Sequence, residues 1–102
     1  MENFKKENEI QIELSDEVAQ GVYANLAVIS HSSSEFVVDF IRIVPGVPKA
    51  KVKSRIILTP EHAKRLQMAL KDNIDKFEQQ NGSIRIHGEP GFLPPLGGIG
   101  QA

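Results

Sequence analysis

Apolar residues are densest between residues 22 and 44, where two hydrophobic runs flank the polar sequence His31-Ser32-Ser33-Ser34. The first run, residues 22–30, is rich in β-branched side chains, and the second, residues 35–44, alternates between two faces. The alternation places apolar residues on both faces of the second run: Phe36, Val38 and Phe40 on one, and Val37, Ile41 and Ile43 on the other. The pattern predicts two neighbouring strands, joined by a serine turn, whose sheet is apolar on both sides.

Two further segments alternate with the period of a strand. In residues 9–14, Ile10, Ile12 and Leu14 share a face, which predicts a first strand with one solvated side. Residues 15–21 predict a turn or one short helical turn before the apolar runs. After a Pro-Gly turn at residues 45–48, residues 51–58 predict a fourth strand. Its inward set is Val52, Ser54, Ile56 and Leu58, and its outward set is Lys51, Lys53 and Arg55.

The clearest element is a helix over residues 60–80. Thr59 is a favourable N-cap, Pro60 suits the first helical position, and Glu61 complements the positive end of the helix dipole. Gly82 follows as the residue that ends the helix. A single apolar stripe recurs at three- and four-residue spacing: Ala63, Leu66, Leu70, Ile74 and Phe77.

The chain predicts one domain with two irregular ends. Residues 1–8 are polar and predict a flexible arm, residues 9–87 form the domain, and residues 83–87 are either an extra strand or an extended exit. Residues 88–102 hold eight Gly or Pro residues among fifteen, which predicts a flexible tail. The tail contains an apolar sequence suited to polyproline II geometry: Phe92, Leu93, Pro94, Pro95 and Leu96. That sequence either docks on a partner or neighbouring subunit, or lies over its own domain.

The element order predicts an α+β fold, an antiparallel four-stranded meander followed by one long helix packed on one sheet face. A helix of about twenty residues is roughly 30 Å long and covers only one face of such a sheet. One of the two apolar sets packs under the helix and the other needs another cover. The predicted interface residues are therefore Phe36, Val38, Phe40, Val37, Ile41 and Ile43. The favoured cover is a second copy of the chain, as a dimer or tetramer. The alternatives are a protein or peptide partner, or the chain's own ends folded back.

Four motifs carry a resemblance to a family: VYANLAVISHSSSEFVVDF, then VPG, then SRIILTPEHAKRL, then NIDKFEQQNG. They resemble the short bacterial proteins of the domain-of-unknown-function family numbered three-four-six-seven, over about residues 9–84. The resemblance implies no activity. The order of four strands and a long helix is also similar, in topology alone, to the export chaperone SecB.

Composition and charge narrow the classes of function. The net charge is −1, which disfavours nucleic acid as the main partner, although Lys51, Lys53 and Arg55 offer an alternative surface for it. The chain has no cysteine, no apolar leader and no membrane-spanning run, so a cytoplasmic protein is expected.

No catalytic or metal site is predicted, and no cofactor is implied. The histidines, His31, His62 and His87, are scattered rather than clustered. The sequence His31-Ser32-Ser33-Ser34-Glu35 contains the residue types of a catalytic triad, but adjacent residues of one turn do not form its geometry. An enzyme is therefore not expected. Asp39 interrupts an apolar face, and we expect it to pair with Arg55 or Lys53 on the next strand.

Overall fold

The structure is a computed structural model and describes residues 9–87. Its elements are α1 (Asp16–Ala19), β1 (Leu26–His31), β2 (Phe36–Arg42), β3 (Lys51–Leu58) and α2 (Pro60–Asn81). The strands form one antiparallel sheet in the order β1-β2-β3. The predicted α+β class is confirmed, as is a sheet followed by a long helix. The fourth strand of the predicted meander is not shown: the sheet has three strands among the described residues.

The missing strand is residues 9–14. This segment pairs with no strand of the described range, and Ile10, Ile12 and Leu14 are each at least two-thirds exposed. Alternation in a sequence reports which side chains share a face, but a strand also requires a neighbour for its backbone hydrogen bonds. Among residues 9–87 of one copy, no such neighbour lies beside this segment. Residues 83–87 likewise form no strand. They take the predicted alternative, a segment that leads away from the helix, and Ile84 and Ile86 in it are exposed.

Asn25 sets the start of the β1–β2 pairing. Its backbone N–H donates to the Ile41 carbonyl (3.0 Å), and its side chain bonds both backbone groups of Ile43, accepting at 2.8 Å and donating at 3.1 Å. The side-chain amide thus continues the ladder beyond both strands. For this reason β1 begins at Leu26, later than the predicted residue 22, and β2 ends at Arg42 rather than at residue 44.

A β-bulge interrupts β3. Phe40 pairs with Ser54 and Ile41 pairs with Val52, so Lys53 has no counterpart in β2. Residues on the N-terminal side of the bulge therefore exchange faces relative to a regular strand. The predicted single inward set is consequently wrong at Val52, which shares the face of Ile41 rather than that of Ser54.

Helix α2 begins and ends as predicted from its capping residues. The Thr59 hydroxyl accepts from the His62 N–H (3.2 Å), and Gly82 adopts φ +89° while donating its N–H to the Glu78 carbonyl (2.9 Å). Its 22 residues include no buried one. Three of its i,i+4 pairs are ionic, namely Glu61 with Arg65, Lys71 with Asp75, and Asp72 with Lys76.

The register divides the sheet into two faces. We call them the groove face and the core face. The groove face comprises Ala27, Ile29 and His31 of β1, Phe36, Val38 and Phe40 of β2, and Ser54, Ile56 and Leu58 of β3. The core face comprises Leu26, Val28 and Ser30, then Val37, Asp39 and Ile41, then Val52, Arg55 and Ile57.

Burial within one copy is slight. Val28 and Ile41, both on the core face, are the buried hydrophobic residues of the described range, at 5% and 3% exposure. No helix in that range is long and apolar enough to cross a membrane. One copy of residues 9–87 therefore leaves most of its apolar side chains in contact with solvent.

Candidate functional site: an apolar groove and a basic depression

A concavity lies between the groove face and the first half of α2. It has a volume of about 480 Å³ and an almost entirely apolar lining. The sheet contributes Ile29, Phe36, Val38 and Leu58, and the helix contributes Pro60, Ala63, Leu66 and Leu70, with Lys64 and Gln67 as its polar members. An apolar lining of this kind suits the side chains of another polypeptide.

The short β3–α2 connection creates the groove. Leu58 ends β3, Thr59 caps α2, and Pro60 is the first helical residue, so no loop separates sheet and helix. The helix consequently leaves the sheet at its edge, and its lining residues all come from residues 60–70. Beyond them, Ile74 and Phe77 remain 38% and 52% exposed. The second half of the apolar stripe thus lacks a counterpart among residues 9–87 of the same copy.

The six strand residues predicted as an interface divide between different surroundings. Phe36 and Val38 line the groove, and Phe40 lies on the same face, all three half-buried. Val37 lies half-buried on the core face. Ile41 is already buried within one copy, and Ile43 lies beyond the end of β2. Their role as an interface stays a prediction, and Ile41 is unsuitable as a surface probe of it.

Leu66 and Leu70 belong to the groove but were not predicted as site residues. Their spacing predicted a stripe that packs on the sheet, and such a stripe is normally buried. The sequence offers no signal that separates a groove wall from a core helix, because both carry the same apolar stripe.

Asp39 and Arg55 form a cross-strand ion pair, as predicted. Arg55 Nε lies 2.7 Å from Asp39 Oδ1 and Arg55 Nη2 lies 2.8 Å from Oδ2, a two-pronged geometry. The hydrogen bonds from Arg55, more than its charge, lower the pKa of Asp39, although partial desolvation opposes the shift. The same bonds raise the pKa of Arg55. Arg55 is therefore committed to Asp39 and is not part of a free basic surface.

Acid should weaken this pair in a predictable direction. Because the pKa of Asp39 is lower in the folded chain than the ordinary aspartate value of 3.8, its contribution to stability is present above that value and is lost as the pH falls through the folded-state pKa. We expect Asp39→Asn to remove this part of the acid sensitivity. Urea midpoints at neutral and at acidic pH should therefore differ less in the variant than in the wild type.

A matched substitution on an exposed pair serves as the control for this measurement. Asp72 and Lys76, in the middle of α2, are both largely exposed, and such pairs contribute little. Asp72→Asn should leave the acid sensitivity of the wild type nearly unchanged. Equal acid sensitivity in Asp39→Asn and in the wild type would contradict the role of the Asp39–Arg55 pair.

A second concavity is basic. It has a volume of about 160 Å³ and is lined by Arg42, Lys49, Lys51, Lys53, Val44 and Val47. We call it the basic depression. The bulge produces it, since Lys51 pairs with Arg42 while the unpaired Lys53 remains beside them. The Arg42 guanidinium is held over the Tyr23 ring, 5.6 Å from its centroid. The predicted basic set is thus divided: Lys51 and Lys53 line the depression, whereas Arg55 is paired with Asp39.

Residues suited to metal or acid–base chemistry do not converge within the described range. No group of three or more His, Asp or Glu side chains there could hold a metal ion. His31 stacks on Phe36, with ring centroids 5.4 Å apart, and the turn that follows is closed by Ser32 and Ser34, whose hydroxyls lie 3.3 Å apart. The predicted flexible arm, residues 1–8, and the predicted tail peptide, residues 92–96, lie outside the described residues.

Comparison with known proteins gives a family but no activity. No characterised protein and no solved structure matches the chain. The topological resemblance to SecB is therefore not supported, and it rested on a fourth strand that the described sheet lacks. The predicted family is confirmed, because the model of that family matches residues 1–86. The chain belongs to the proteins of unknown function of family DUF3467.

Proposed function

We propose that this chain is a homo-oligomeric protein-binding module whose first partner is a second copy of itself. The observation that supports the proposal is the apolar groove continued by the uncovered half of α2. In one copy, Leu66, Leu70 and Phe77 remain between 44% and 55% exposed. Exposed apolar surface that is continuous over a sheet face and a helix is typical of protein interfaces.

The available area suits such an association. A 22-residue helix is about 33 Å long, and an apolar strip about 10 Å wide along it offers about 330 Å². A three-stranded sheet face with strands about 4.8 Å apart offers a further area of about 350 Å². Together these approach the roughly 800 Å² per partner of a standard interface. A dimer or tetramer would thus provide the cover that one copy lacks, and an adaptor role toward another protein would use whatever part of the groove the oligomer leaves free.

Solution mass as a function of concentration tests this proposal. Size-exclusion chromatography with light scattering should give a multiple of the 11.3 kDa chain mass, and the thermal midpoint should rise with protein concentration. A folded monomer over the whole accessible concentration range, with a constant midpoint, would refute self-association.

Nucleic-acid binding is the second candidate function, and the basic depression supports it. Arg42, Lys49, Lys51 and Lys53 lie together without a carboxylate within ion-pair distance among residues 9–87. No aromatic ring lines the depression, so contact would be with phosphates rather than with stacked bases. Such binding should be detected near 50 mM salt, where it is strongest, and Lys51→Ala with Lys53→Ala should abolish it. Lack of binding at that salt concentration would eliminate this candidate.

A further inference from the structure

Charged residues are segregated along the first half of the chain. Residues 9–41 contain six acidic residues and no lysine or arginine: Glu9, Glu13, Asp16, Glu17, Glu35 and Asp39. Residues 42–55 contain five basic residues and no acidic one: Arg42, Lys49, Lys51, Lys53 and Arg55. A net charge of −1 for the whole chain conceals this separation. Two blocks of opposite sign are complementary surfaces if they can meet.

Within one copy the two blocks meet at one point. Among residues 9–87 the pair Asp39–Arg55 is the ion pair that joins them, and the remaining pairs lie within α2. Glu9 and Glu13 stand on the unpaired 9–14 segment, and Lys51 and Lys53 line the basic depression. Neither set has an ionic partner within the described residues of its own copy.

We propose that residues 9–14 of a second copy lie along the outer edge of β3, with Glu9 and Glu13 against the lysines of the basic depression. The exchange would be reciprocal, so each copy would give a strand and receive one. This inference rests on the proposed self-association, and it names the segment and the edge that carry it out. It also gives the exposed isoleucines of the segment a place to be buried.

The faces of the two elements match. Lys51 pairs with Arg42, on the same side as the groove face of β2, whereas Val52 lies on the core face beside Ile41. In residues 9–14 the side chains alternate between an acidic side and an apolar side. A strand beside β3 with its glutamates toward Lys51 therefore places Ile10 and Ile12 on the side of Val52. Val52 and Ile57 on that side are 49% and 57% exposed in one copy.

The edge of β3 is available because the sheet ends there in the described chain. An edge strand that carries lysines and a bulge resists pairing with an arbitrary strand. The same edge can accept a strand that carries glutamates at matching positions. Each lysine then lies beside an opposite charge, which attracts the incoming strand. The opposite edge, β1, carries no lysine or arginine and offers the glutamates no counterpart.

Charge reversal on each side, and then on both, tests the exchange. We expect Glu9→Lys with Glu13→Lys, and separately Lys51→Glu with Lys53→Glu, to raise the concentration at which the oligomer dissociates by about tenfold at low salt. A control, Glu35→Lys with Asp72→Lys, makes the same change of net charge as the glutamate reversal, on exposed residues outside both elements, and should keep the wild-type value. Far-ultraviolet circular dichroism checks that each variant is folded.

Mixing distinguishes exchange between copies from pairing within one copy. An equimolar mixture of the two reversed chains should recover the wild-type dissociation concentration. In a mixed pair the reversed segment of one chain meets the reversed edge of the other, and the unchanged segment meets the unchanged edge. A chain with all four substitutions should recover it as well. Recovery in the four-substitution chain without recovery in the mixture would show pairing within one copy and overturn the exchange.

Two further outcomes separate this inference from the proposed function. If the wild type is oligomeric and neither reversal changes its dissociation, residues 9–14 do not hold the copies together, while self-association through the groove stands. If the wild type is a monomer at every concentration, self-association itself fails, and the exchange fails with it.

Discussion

Ile41→Ala should lower the free energy of unfolding by about 2–5 kcal/mol, the usual cost of removing a large aliphatic side chain from a packed interior. Ile41 lies on the central strand, is 3% exposed and shares the core face with Val28, the other buried hydrophobic residue of the described range. Because so few side chains are buried, the surrounding strands have little other packing to compensate. Urea unfolding at one fixed protein concentration measures the change.

Ile57→Ala is the matched control for that substitution. Ile57 lies on the same face of the neighbouring strand, and 57% of it is exposed, so it makes fewer contacts within one copy. In dilute protein its substitution should cost less than about 1 kcal/mol. Equal losses in the two variants would show that Ile41 is no more important to the core than an edge residue.

Leu66→Glu combined with Leu70→Glu should convert the proposed oligomer into a monomer. Both leucines line the groove, and both are about half-exposed in one copy, so their substitution removes apolar contact area without opening a cavity. Charges at these positions would have to be desolvated in the interface, at a cost of several kcal/mol. Light scattering should show at least about a hundredfold weaker association, while circular dichroism keeps the helical signal.

Met68→Glu is the control on the same helix. Met68 is 63% exposed and is not among the residues that line the groove. Its substitution introduces one glutamate, half the charge of the double variant, at a neighbouring position of the same helix and should leave the mass unchanged. An unchanged mass in the Leu66/Leu70 variant would exclude the groove as the interface, and dissociation in Met68→Glu would indicate that another helix face is used.

Elements whose signals are local could be predicted from the sequence. The capping of α2 by Thr59 and Gly82 depends on neighbouring residues alone, and so does the serine turn between β1 and β2. The pair Asp39–Arg55 was also predictable, because a charge on an apolar face requires a partner on the adjacent strand. These features do not depend on how the elements pack.

The errors concern residues whose state depends on a neighbour. Residues 9–14 alternate as a strand does, but no periodicity reveals whether an edge is free to receive them. The bulge at Lys53 was equally invisible, since Lys51 to Arg55, the stretch that contains it, alternates without interruption in the sequence. The groove was missed for a related reason, because an apolar stripe on a helix looks the same whether it is buried or lines an open wall.

Because of the bulge, the number of residues in β3 determines where the lysines of the basic depression lie. Lys53 is one residue more than the ladder with β2 requires. It therefore determines on which face of the sheet Val52 and Lys51 lie. Without the bulge, Val52 would lie on the groove face instead of the core face, and Lys51 on the core side instead of the groove side, with no change in composition. The pairing register of β3 with β2 therefore tolerates the substitution of one side chain much better than a change in the length of the segment. The length of this segment, more than the identity of any lysine in it, therefore determines where the positive charge of the molecule is displayed.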